Sequence, residues 1–191
     1  PPHQMRLTLL LFLFVSSGVV VVNPFTVLLT REAGKNANLR HALLRTLNDP
    51  ANVMINELPV LETLPIDAGI SELAKRLQEA KQSYVCITSP EAASKFIEAS
   101  SSVSPSFPLP LVAAVGAGTT EVLTNAGIDV VFTPSKATGL TLATELPLPT
   151  NVMGIKKSDP SVLYPCSELA SDSLVTKLTE RGFTVERINT Y

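Results

Sequence analysis

The sequence has few of the residues on which most enzyme chemistry depends. Among 191 residues there are two cysteines, Cys86 and Cys166, and two histidines, His3 and His41. Two cysteines make neither a disulfide framework nor a zinc cluster, and two histidines leave little for metal binding or imidazole catalysis. An excess of charge is also lacking: 15 Lys and Arg against 17 Asp and Glu give a formal net charge of −2. Without a basic block, binding to nucleic acid through phosphate contacts is disfavoured. No G-x-x-x-x-G-K-[ST] is present for a nucleotide phosphate. Gly116-x-Gly118 begins like a dinucleotide fingerprint, but Glu121 stands where its third glycine belongs. The strand that follows ends at Phe132 without an acidic residue for a ribose, which also counts against a nicotinamide cofactor. Neither metal nor cofactor is expected.

What is present is a folding chain. With 45% hydrophobic and 17% charged residues and a positive mean hydropathy, disorder is excluded. The length allows one ordinary domain, or one plus part of another. At the start, Pro-Pro-His-Gln precedes Met5; Arg6 then leads into the apolar run Leu7–Val22, interrupted by Ser16, Ser17 and Gly18. The run is shorter than the about 18–20 residues that span a bilayer, and its order of charge, apolar run and small residues suits a targeting segment. Residues 1–24 are therefore set aside from the fold as signal-like, the alternatives being a membrane anchor or a mis-assigned start.

From Phe25 the pattern alternates. Strands are expected at Phe25–Thr30, Val53–Leu58, Tyr84–Thr88, Leu111–Val115, Asp129–Phe132, Val162–Tyr164 and Thr184–Ile188. Apolar residues at helical spacing mark helices at Asn36–Leu47, Asp67–Ala80, Pro90–Ser100, Thr119–Ala126, Gly139–Leu146 and Ser171–Arg181. Gly127 and Gly182 stand where helix C-terminal glycines belong. Nearly continuous apolar strands separated by helices imply an α/β fold with parallel sheet covered on both faces. Pro59–Pro65 interrupts the alternation and reads as an extended connector or an ordinary loop.

Ligands of an open parallel sheet bind beyond the carboxyl ends of its strands. Four loops there are rich in small and hydroxylated residues: Thr88-Ser89-Pro90, Gly116-Ala117-Gly118-Thr119, Thr133-Pro134-Ser135-Lys136 and Pro165-Cys166-Ser167. Backbone N–H groups at helix starts suit anions, while capping alone is the ordinary role of such residues. Ser89 and Ser167 have no candidate histidine base. Cys86 lies within an apolar strand and reads as a small core residue; Cys166 lies on a loop rim, open to exposure. The residues alone lead to an α/β protein able to bind an anionic molecule without a cofactor.

Taken in order, these segments resemble uroporphyrinogen-III synthase. The resemblance rests on Val27-Leu-Leu-Thr-Arg31-Glu32, Ile87-Thr-Ser-Pro90, Ala114-Val-Gly-Ala-Gly-Thr-Thr120, Leu163-Tyr-Pro-Cys-Ser167, the helix Leu174–Gly182 and the ending Val185-Glu-Arg-Ile-Asn-Thr-Tyr191. It covers about Thr26 to Tyr191, and the ordered set carries it more than any single motif. The resemblance implies two α/β domains of parallel sheet with flanking helices, the first discontinuous. Residues 25–58 would begin that domain, 59–65 form the connector, 66–187 form the continuous domain, and 188–191 start a return connector. The remainder of the first domain would then lie beyond Tyr191.

The family activity so implied is cyclisation and dehydration of hydroxymethylbilane, a linear tetrapyrrole, to uroporphyrinogen III. No cofactor, nucleic-acid partner or lasting membrane association is implied, and a monomer is expected. The resemblance makes Tyr191 the catalytic residue, a general acid toward the departing hydroxyl. It makes Thr30, Arg31, Thr88, Ser89, Gly116, Thr119, Ser135 and Ser167 the substrate-binding set. Tetrapyrrole synthesis places the protein in a plastid or, alternatively, the cytoplasm. Two other readings remain at this point: a small-molecule binding protein of the periplasmic-receptor type, and an inactive fragment.

Overall fold

The computed structural model describes residues 25–47, 53–104, 106–149 and 160–191. The signal-like segment 1–24 lies outside them, as does most of the loop read at 147–160. The described residues fall into two compact units, one ending at Thr63 and one running from Leu64 to Tyr191.

In the first unit, β1 (Phe25–Leu29), α1 (Ala37–Thr46) and β2 (Val53–Glu57) follow one another, and β1 pairs β2 in parallel from Phe25↔Val53 to Leu29↔Glu57. Asn36, at the start of α1, is buried. Its amide donates to the Arg31 carbonyl at 3.3 Å and to the Glu57 carboxylate at 3.2 Å, tying the loop after β1 to the end of β2. Beyond β2 the chain is extended. The Val60 N–H donates to the Thr30 carbonyl at 3.3 Å, and Thr63 donates through N–H and hydroxyl to Glu32. Lys35, bonded to the same carboxylate, holds the Glu32 pKa below its ordinary value, with Thr63 assisting.

The second unit contains α2 (Asp67–Glu79), β3 (Tyr84–Ile87), α3 (Pro90–Ser101), β4 (Leu111–Ala114), α4 (Ala117–Asn125), β5 (Val130–Phe132), α5 (Gly139–Glu145), β6 (Ser161–Cys166), α6 (Ser173–Glu180) and β7 (Thr184–Asn189). Its five strands are all parallel in the order β5-β4-β3-β6-β7.

Successive side chains of a strand face opposite sides of a sheet, and this period sorts the core into two layers. Val85, Ile87, Val112, Ala114, Leu163 and Ile188 pack with Ile70, Leu73 and Leu77 of α2, Phe96 of α3 and Leu123 of α4. Tyr84, Cys86, Ala113, Val162, Tyr164 and Cys166 pack on the other face with Leu142 of α5 and Leu174 and Leu178 of α6. Both faces are covered, which is why the central strands lack polar alternation.

Most boundaries shift by a residue or two from the sequence reading, and two of the shifts bear on the strand ends. Helix α4 begins at Ala117 rather than Thr119, because Gly116 turns the chain at φ +82° immediately before it. Strand β6 runs through Pro165 and Cys166, which the sequence reading left in a loop. The pairs of β6 with β3 stop at Val85↔Leu163, while those with β7 continue to Cys166↔Asn189. Pro165 thus lies past the doubly paired part of the strand, where a residue without an N–H is tolerated. By the same pairing, Ile188 and Asn189 are strand residues here.

Phe96 is fully buried beneath α3. Phe96→Ala is expected to lower stability by about 3–5 kcal/mol in urea unfolding, since a large core side chain leaves a cavity. A loss below about 1 kcal/mol would show that this layer repacks freely.

Candidate functional site

Strand order reverses between β3 and β6: β4 and β5 lie to one side of β3, β6 and β7 to the other. The carboxyl ends of these two strands therefore flank a topological switch point, the usual place for a ligand crevice in an open α/β sheet.

Ser89 leaves β3 in extended conformation and caps α3, its Oγ accepting from the Ala92 N–H at 3.0 Å with Pro90 at the first helical position. The same Oγ lies 2.7 Å from the Tyr191 hydroxyl. A serine oxygen that accepts a cap bond still has a proton to give and a lone pair to offer. When Ser89 donates to the phenol oxygen, the Tyr191 proton is left to point elsewhere.

The Tyr191 backbone is fixed independently of its ring. The Thr190 N–H donates to the Cys166 carbonyl at 2.9 Å, and the Glu168 N–H donates to the Tyr191 carbonyl at 2.8 Å, so pairing with β6 continues past β7. On the other side, the Ile66 N–H donates to the Thr190 carbonyl at 2.9 Å. Gly69 of α2 presses on the same segment: a Cβ there would stand 1.9 Å from the Asn189 carbonyl oxygen. This close approach requires glycine.

Thr88 also follows β3, and the Tyr164 phenol of β6 has its pKa raised mainly by burial, with Thr88 offsetting part of the effect. Ser167 accepts from the Leu169 N–H at 3.2 Å. Arg187 of β7 donates to the carbonyls of Ser167 (3.2 Å) and Glu168 (2.9 Å), bonds the Asn189 side chain and pairs with Asp172.

Thr88, Ser89, Ser167 and Tyr191 thus gather at the ends of β3, β6 and β7. Gly116 follows β4 beside a groove of about 560 Å³ whose lining includes Thr120, Glu121, Thr124 and Thr133. Thr119 is buried, 2% exposed, and its neighbour Thr120 presents a hydroxyl that donates to the Gly116 carbonyl at 3.2 Å. Ser135 gives both its N–H (2.8 Å) and its hydroxyl to Glu145. These bonds, the hydroxyl foremost, hold the Glu145 carboxyl below its usual pKa. Thr30 and Arg31 follow β1 in the first unit, both exposed.

Cys166 requires a correction: it is buried, 1% exposed, as the last residue of β6 rather than part of an open rim. Burial pushes its thiol pKa up, with Arg187 offsetting part of the effect, and Cys86 is shifted upward by burial as well. A second groove, about 470 Å³, lies between α2 and α3 with Asp67, Lys75 and Glu98 in its lining. Its lining mixes both signs of charge. No group of three or more potential metal ligands occurs among the described residues.

Sequence reasoning missed Gly69, Tyr164 and Arg187. A glycine within a helical pattern is a recognised sign of close packing, so Gly69 was discoverable. Apart from Asn189, the partners of Arg187 lie 15 to 20 residues away, on the far side of α6 in the chain, and nothing in the local pattern announces them.

Comparison with known proteins adds to this geometry. The family model described as Uroporphyrinogen-III synthase HemD matches residues 56–191. The chain is 37% identical over 174 residues to "Uroporphyrinogen-III synthase, chloroplastic" of Oryza sativa subsp. japonica, covering 88% of this chain and 53% of that protein. It spans about half the length of that curated relative. Two solved structures of uroporphyrinogen III synthase from Thermus thermophilus share the fold. A mutant form has TM-score 0.57 at 17% identity over 85% of this chain and 61% of its own. Another has TM-score 0.50 at 17% identity over 86% and 62%.

Gly69→Ala is expected to destabilise by about 1–3 kcal/mol, because overlap with backbone outweighs the helix preference of alanine. Urea unfolding checks this; a stabilised variant would mean that the tail moves aside without cost. Neither thiol is expected to react with iodoacetamide in the folded protein at pH 8, since raised pKa values leave little thiolate. Both should react in urea, and rapid labelling of Cys166 in the native state would contradict its placement.

Proposed function

The chain belongs to the uroporphyrinogen-III synthase family, and from that premise we propose that it is a cyclising hydro-lyase of tetrapyrrole biosynthesis. Its substrate is hydroxymethylbilane and its product uroporphyrinogen III, with ring D inverted. The observation that carries this reading is the pairing of the Tyr191 and Ser89 hydroxyls, 2.7 Å apart, at the switch point of the sheet.

The reaction begins at the terminal hydroxymethyl group of ring A. Tyr191 donates its phenolic proton as the carbon–oxygen bond breaks, releasing water and leaving an electrophilic methylene. A tyrosine phenol has a proton to give at neutral pH and can serve as a general acid. Ring D attacks through its already substituted carbon, giving a spiro intermediate. Its bond to the neighbouring bridge breaks and re-forms at the other α-carbon of ring D, the one that carries hydrogen. The proton that ring D gives up on regaining aromaticity restores the phenol. The protein holds a flexible chain in the geometry of attack, an orientation effect that asks little of acid–base residues.

The bilane carries carboxylates around its rings. Neutral donors at helix starts suit these, and Thr88, Ser89 and Ser167 supply hydroxyls at the strand ends, with Thr119 a contributor through its backbone; Ser135, whose N–H and hydroxyl both go to Glu145, would serve only on exchanging that partner. Gly116 permits close approach of the ligand, and Arg31, after β1, offers a guanidinium to an acetate or propionate. The protein acts as a monomer. The name of the rice relative, which includes "chloroplastic", together with the apolar N-terminal run, supports a plastid location.

The test is incubation with fresh hydroxymethylbilane, oxidation and separation of isomers I and III. An excess of isomer III is expected; isomer I alone would reject the activity. Tyr191→Phe is expected to lower kcat by about 100-fold or more, the scale of a lost general acid, with little change in unfolding midpoint. An unchanged rate would remove the proton-donating role.

A further inference from the structure

The Tyr191 phenol is placed only as well as the backbone behind it, and that backbone leans on the loop between β6 and α6. The loop, Ser167 to Asp172, is poorly anchored by burial: Ala170 packs against the core, but Leu169, its one large apolar side chain, is 93% exposed. What holds it is Arg187. The guanidinium donates to the Ser167 carbonyl at 3.2 Å and the Glu168 carbonyl at 2.9 Å, and pairs with Asp172 at the far end. Its Nε donates to the Asn189 side chain at 3.1 Å, two residues before Tyr191. The Glu168 peptide clamped in this way is the one whose N–H donates to the Tyr191 carbonyl at 2.8 Å.

We propose that Arg187 is a positioning residue for Tyr191, acting through the Ser167–Glu168 backbone. The structural half stands on this geometry, and the kinetic half rests on the reading of Tyr191 as the proton donor. A planar fork with several donors fixed in direction can hold two carbonyls and a carboxylate together. A lysine keeps the charge and loses the fork, so Arg187→Lys separates geometry from electrostatics.

The experiment uses the full-length protein with Arg187→Lys and Tyr191→Phe, alone and together. Hydrogen exchange of the peptide containing Glu168, read by mass spectrometry, is expected to quicken by about tenfold or more in Arg187→Lys while the thermal midpoint moves little. In the isomer III assay, kcat is expected to fall by about tenfold with a smaller change in KM. On the Tyr191→Phe background the same substitution should cost less than about twofold, because its effect passes through the phenol. Equal losses in both backgrounds would assign Arg187 a merely structural role and overturn the proposal. Unchanged exchange at Glu168 would overturn it too, whatever the kinetics. If the wild-type protein forms no isomer III, the activity reading fails on its own, and the exchange result still decides whether Arg187 clamps the loop. A Lys variant that does not fold would be replaced by Arg187→Gln, judged by the same exchange and the same double substitution.

Discussion

Strand β7 pairs with β6 over its whole length, and the pairing does not stop where the strand does. Thr190 passes its N–H to the Cys166 carbonyl, and Glu168 returns one to Tyr191. Everything gathered at the strand ends depends on this continuation. It brings a residue at position 191 alongside a helix cap at position 89, with the buried Thr190 filling the space between the sheet and the entry to α2. A tail that left β6 at Asn189 would carry the phenol away from Ser89, and the hydroxyls past β3 would be ordinary caps.

The two-layer core gives that edge its rigidity. Residues one apart on β3 and β6 face opposite helical layers, so each strand is gripped from both sides. Polar atoms are pushed to the ends, where chain reversals leave N–H groups and hydroxyls unspent. The chemistry on offer is accordingly that of many modest neutral donors, a poor match for metal or imidazole catalysis and a good one for holding a carboxylate-rich chain still.

Much of the second unit was legible in the sequence because its elements announce themselves locally. The continuous apolar strands at Tyr84 and Leu111, the apolar helical spacing of Ile70, Leu73 and Leu77, and the stop glycines at 127 and 182 all appear as read. Cys166 misled because proline before it looks like a loop signal. That signal holds for a strand paired on both sides, and β6 is paired on one side only at that point. The cap at Ser89 could be read from Ser-Pro alone. Its bond to Tyr191 joins residues 102 apart, and no local pattern encodes such a distance; the family resemblance pointed to both residues without their contact. Arg187 went unread for the same reason, since it matters through partners that only the fold supplies, whereas Gly69, a glycine inside a helical pattern, carried a local sign of close packing.

Ser89 has one oxygen and two obligations. It closes the first turn of α3 through the Ala92 N–H, and it meets the phenol of Tyr191. Helix ends fray more readily than any other part of a packed helix, at a small fraction of the free energy of global unfolding. Each time this end opens, the serine swings with it and its bond to the phenol breaks. Fraying of one helical turn and misalignment of the tyrosine are therefore a single event, and the lifetime of the aligned hydroxyl pair can be no longer than that of the closed turn.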